Sequence, residues 1–69
     1  MPDKTRVKGY RVMLGLTQKE MADVLGISTQ SYYLKETGQV RFTHDEMRVF
    51  RDKLRGILPE VTVDDIFFT

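Results

Sequence analysis

Apolar residues recur along this chain at helical spacing. Val7, Tyr10 and Leu14 stand at i, i+3 and i+7 and predict a first helix from about Arg6 to Leu14, with Gly15 placed for a left-handed stop. Thr17 and Glu20 then form a T-x-x-E capping box, in which side chains and amides satisfy one another reciprocally. It opens a second helix whose inward face is Met21, Ala22 and Leu25, with Val24 beside it, and which Gly26 ends after about two turns. Ile27 is a short apolar bridge, and Ser28 is a good N-cap for a third helix over about Thr29 to Thr37, closed by Gly38. Thr43 and Glu46 repeat the capping box at the start of a fourth helix. Its apolar face reads Met47, Phe50 and Leu54, continuing to Ile57 and Leu58, with Pro59 as the stop. Thr62 caps a last short helix from Val63 to about Phe67, with Asp64 and Asp65 in the first turn, where the helix dipole favours acids. The expected fold is all-α, a compact bundle of about five short helices in a single domain over residues 1–69.

Composition narrows the possible chemistry. A 69-residue chain with 41% hydrophobic and 30% charged residues suits one small globular domain, with little core left over for a deep substrate pocket. The absence of cysteine excludes disulfides and thiolate metal sites. No apolar run approaches the roughly 18 residues of a membrane span, and the polar, basic start lacks the apolar stretch of a signal peptide. A cytoplasmic protein is therefore expected, without membrane or small-molecule partners. The single histidine, His44, has no spaced partner ligand, and no nucleophile elbow or glycine-rich phosphate loop is present. The expectation is a non-enzyme with no cofactor and no metal. Net charge is only +1, but residues 1–41 carry seven Lys/Arg against four acids, and residues 42–69 carry four against six. A basic N-terminal part with an acidic tail suits a module that meets phosphate with one end.

The stretch from Thr17 to Gly38 carries the functional reading. Two short helices are separated by a turn that needs a positive φ, which Gly26 supplies. Ala22 is small where the helices approach, and Ile27 plugs the corner. Gln18, at the start of the second helix, can hydrogen-bond a phosphate. Together with Leu16, this stretch (LTQKEMADVLGISTQSYYLKETG) resembles the Cro/C1, or XRE-type, helix-turn-helix family of phage and bacterial repressors. The marks are Thr17-Gln18, Ala22, Gly26, Ile27-Ser28, Gln30, Glu36 and Gly38. Arg11 adds to them, since the family often pairs an arginine there with the glutamate. The likeness covers about residues 6–68 and implies a lambda-repressor-like DNA-binding domain.

The resemblance implies a transcriptional regulator reading the major groove of double-stranded DNA at a short operator, as in a phage lysis–lysogeny switch. On the third helix, positions 29, 30, 33 and 34 are expected to face outward, and Tyr32 and the stem of Lys35 inward. Thr29, Gln30 and Tyr33 are the base-contacting candidates, Gln30 because its amide matches adenine N7 and N6. Gln18, Lys19, Ser31 and Arg41 are phosphate-side candidates, joined by the basic start Lys4, Arg6 and Lys8. Arg11 and Glu36 are read as a structural clamp. Lys35 stands where members of the family often carry an apolar residue, so its stem must snorkel. Leu34, Ile66, Phe67 and Phe68 are candidates for a partner surface, serving a homodimer or a hetero-complex with another repressor. The alternative function is accordingly a protein-interaction regulator, an antirepressor or antitoxin, acting on another repressor or a toxin.

Overall fold

The computed structural model describes residues 4–68, with side chains described from Arg6 onward. Its five helices are α1 (Lys4–Met13), α2 (Gln18–Leu25), α3 (Thr29–Glu36), α4 (His44–Leu54) and α5 (Val63–Phe67), and no strand occurs among the described residues. The bundle is therefore all-α, as the apolar spacing predicts. α2 packs chiefly on α3, while α5 closes against both α1 and α4.

Local chemistry sets the helix starts. Thr17 Oγ1 accepts the Glu20 amide at 3.1 Å and the Thr17 amide donates to Glu20 Oε1 at 2.9 Å. Thr43 and Glu46 repeat this arrangement at 3.1 and 2.8 Å. At Thr62, which the sequence marks as a cap, a third box forms with Asp65 and opens the short α5. Aspartate is shorter than the usual glutamate, yet its carboxylate still reaches the cap amide. Gly26 ends α2 at φ 72°, and its amide and that of Ile27 reach the carbonyls of Asp23 and Ala22. A side chain at that φ would be strained, so the sharp turn into α3 depends on glycine.

The core comprises Val7, Met21, Ala22, Tyr32, Phe42, Phe50, Leu54, Val61 and Ile66. Four aromatic rings meet inside it in tilted and edge-to-face geometry, with Phe67 lying 5.1 Å from Phe42 and 5.5 Å from Phe50 between centroids.

Two sequence expectations are corrected here. α4 ends at Leu54, not at Pro59, and Ile57 lies exposed beyond the apolar stripe. The reason is a tight turn after Arg55, in which the Leu58 amide bonds the Leu54 carbonyl at 2.8 Å and Arg55 Nε donates to the Val61 carbonyl at 3.0 Å. Pro59 shapes the return of the chain through its restriction on Leu58, after the helix has already stopped. The second correction concerns the C-terminal apolar run. Ile66 is 1% exposed, so it serves the core and not a partner surface, while Phe67 is half-buried and packs on Phe42 and Phe50. Helical spacing explains this, since α5 turns one face inward and leaves only Phe68, beyond the helix end, exposed. None of the described helices is long and apolar enough to cross a membrane.

Candidate nucleic-acid interface

α3 has two chemically distinct edges. Its outer edge carries Thr29, Gln30 and Tyr33, all exposed, Tyr33 to 48%. Ser28 begins the helix by accepting the Ser31 amide at 3.0 Å, which leaves Thr29 and Gln30 in the exposed first turn. Ser31 is half-buried at the margin of this edge. Leu34 departs from its expected outward position and is half-buried. At this end of α3 the chain turns back, and the amides of Gln39 and Val40 both reach the Leu34 carbonyl.

The inner edge is built around Glu36, which is almost wholly buried. Its Oε2 accepts Arg11 Nε at 2.8 Å and the Tyr32 hydroxyl at 2.7 Å. Its Oε1 accepts Gln18 Nε2 at 3.0 Å and Arg11 Nη2 at 3.3 Å. Arg11 Nη1 donates to the Leu16 carbonyl at 2.8 Å, so the guanidinium also braces the turn before α2. Burial pushes the Glu36 carboxyl up, but the bonds from Arg11, Gln18 and Tyr32 outweigh burial and hold it below the usual carboxylate range. The same environment pushes the Tyr32 hydroxyl up, first through burial and then through its bond to Glu36. The Arg11 guanidinium is raised by its bond to Glu36, so the pair is ionised on both sides.

Lys35, one residue before Glu36, makes a second ionic contact. Its Nζ lies 2.6 Å from both oxygens of Glu46, with the two side chains only 12% and 11% exposed. Glu46 therefore caps α4 and also holds α3. Burial pushes its carboxyl up, while the bonds from Lys35 and the Thr43 amide lower it further than burial raises it. The capping motif made Glu46 legible in the sequence, but its second task depends on how α3 and α4 meet, and that leaves no local signal.

The phosphate-side candidates fall into separate groups. Gln18 is half-buried and bonded to Glu36. Lys19 is exposed and pairs with Asp23 at 3.2 Å across one helical turn. Arg41 and Lys8 are exposed. Arg6 donates through Nη1 to the Asp65 carbonyl at 3.1 Å, joining α1 to α5. The Lys4 side chain lies outside the described residues. Within α3 the only Lys or Arg is Lys35, and Glu46 neutralises it, so the outer edge presents hydroxyl, amide and phenol groups but no cation.

In comparison with known proteins, the family model described as helix-turn-helix matches residues 7–43, from within α1 to the residue that caps α4. No curated protein and no solved structure matches the chain.

Proposed function

This chain belongs to the Cro/C1-type helix-turn-helix family and so carries a DNA-binding regulatory domain; from that premise we propose that it is a sequence-specific transcriptional regulator. It lays the outer edge of α3 in the major groove of a short operator. The observation that carries this reading is the exposed row Thr29, Gln30 and Tyr33 on a helix whose other edge is fixed by buried ionic contacts. Gln30 reads a base through its amide, preferentially adenine, and Thr29 and Tyr33 contact neighbouring base or sugar groups. Gln18, Lys19, Ser31 and Arg41 meet phosphates and set the register. A half-site of this size gains specificity as a homodimer on a palindromic operator, of the kind found in a phage switch.

The test is enrichment of duplexes from a randomised pool, followed by titration at several salt concentrations. Gln30→Ala is expected to cost about 1–3 kcal/mol on the selected duplex and to relax preference at one position. An equal loss on selected and random duplexes would remove the base-reading role.

One observation favours a second reading. A recognition helix without a free cation provides little electrostatic attraction to DNA. A regulator acting on another repressor or a toxin fits such a surface, with the exposed Phe68 as an apolar contact. Failure to enrich any duplex, combined with tight binding to a repressor from a neighbouring gene, would favour it.

A further inference from the structure

We infer that Glu36 is a positioning residue of the DNA interface and acts through Gln18, whose carboxamide it turns toward the phosphate. The inference rests on the DNA-binding reading above and assigns that interface a further residue which itself never meets DNA.

A carboxamide has two ends of nearly equal size, one that only accepts and one that only donates. A carboxylate can only accept, so a glutamine lying against it must present its nitrogen. Gln18 does so, with Nε2 3.0 Å from Glu36 Oε1. That nitrogen carries two hydrogens, and the bond to Glu36 uses one. The second remains for an acceptor outside, and a phosphate oxygen is such an acceptor. A surface glutamine without this anchor would sample several rotamers and both amide orientations, and ordering it on binding costs entropy.

The anchor is itself held from three helices. Arg11 of α1 grips both oxygens of Glu36, Tyr32 of α3 donates to Oε2, and Gln18 comes from α2. The carboxylate cannot rotate without breaking several of these bonds. Gln18 and the outer edge of α3 are consequently referred to one fixed point, because Glu36 and Tyr32 belong to the same helix as Thr29, Gln30 and Tyr33. A phosphate contact through Gln18 therefore sets the register of the reading edge and does more than add affinity.

The experiment is a double-mutant cycle of Gln18→Ala and Glu36→Gln, measured on a duplex enriched by the wild-type protein. Glutamine at 36 keeps the size of the side chain but has a single acceptor oxygen, which cannot serve Arg11, Tyr32 and Gln18 together. Each single substitution is expected to weaken binding by about fivefold, the value of one hydrogen bond. The double variant is expected to bind no more weakly than the worse single one, because the two residues act as a unit. In the free protein, the Gln18 side-chain amide should give well-separated, exchange-protected NMR resonances that collapse in Glu36→Gln.

If circular dichroism finds Glu36→Gln unfolded, Tyr32→Phe replaces it, since it retains the ring and removes one donor to the anchor. It is expected to weaken DNA binding in the wild-type background and to have no effect in Gln18→Ala. Additive losses, or an unprotected Gln18 amide in the wild type, overturn the positioning role while leaving DNA binding intact. A pool from which nothing is enriched overturns both.

Discussion

Where α1, α2 and α3 meet, the contact is ionic and directional, with four hydrogen bonds converging on one buried carboxylate. Where α4 and α5 close the core, Phe42, Phe50 and Phe67 pack edge-to-face or tilted, with ring centroids within 6.3 Å of one another, while the Lys35–Glu46 pair ties α4 to α3 on the ionic side. Tyr32 belongs to both regions, its ring centroid 6.1 Å from that of Phe42 and its hydroxyl on Glu36. The difference separates two tasks. Removing rings from water supplies most of the free energy of folding and is nearly indifferent to direction. Charged hydrogen bonds add little net energy after desolvation, but they fix the angle at which groups meet. The aromatic region holds the bundle together, and the ionic region orients α3, the helix proposed to face DNA.

The largest effect is expected in the aromatic region. Phe50→Ala should lose about 3–5 kcal/mol, a large share of the stability of so small a domain. Thermal unfolding followed by circular dichroism should lose its cooperative transition near room temperature. A loss below about 1 kcal/mol would mean that the aromatic cluster does not carry the fold.

Acid separates the two regions next, since it titrates one and leaves the other untouched. The Glu36 and Glu46 carboxyls are both held below the ordinary glutamate value of 4.5. The folded chain therefore binds these protons less readily than the unfolded chain. Their stabilisation is complete above the ordinary range and is lost as pH falls from about 4.5 through the lower folded values. Urea midpoints measured between neutral and acid pH should fall in that window, and Glu36→Gln should flatten the fall. An unchanged pH profile in that variant would show that the ionic region does not contribute in the manner described.

The smallest effect serves as a control outside both regions. Gly9 lies exposed inside α1, with nothing within 4 Å of where a Cβ would stand. Gly9→Ala should raise stability by about 1 kcal/mol through helix propensity and leave the acid profile unshifted. A destabilised variant would indicate that the backbone of α1 is approached at that point by something other than solvent.

The legible parts of the molecule were those with a local cause. Capping boxes at Thr17 and Thr43, the left-handed glycine at 26 and the outward row Thr29, Gln30 and Tyr33 each follow from a few adjacent residues and helical spacing. The family pattern added the Arg11–Glu36 pair, which spacing alone could not supply. The parts that stayed hidden depend on helices far apart in sequence. Gln18 reaches Glu36 across 18 positions and Arg6 reaches Asp65 across 59, so neither bond has a signature in its own helix. Ile66 and Phe67 looked available as a patch because three consecutive apolar residues give no hint of which side α5 turns inward.

The Lys35–Glu46 bridge has a consequence for redesign. Because Glu46 also caps α4, the inner edge of α3 is keyed to this scaffold, and its outer edge carries no such key. On the DNA-binding reading proposed above, exchanging Thr29, Gln30 and Tyr33 for other residues is expected to alter the preferred duplex and keep the fold. Grafting a whole foreign recognition helix with leucine at position 35 would strand a buried carboxylate without its cation. On that reading, new specificities are open to this chain by changes on one side of an eight-residue helix, provided the other side is inherited unchanged.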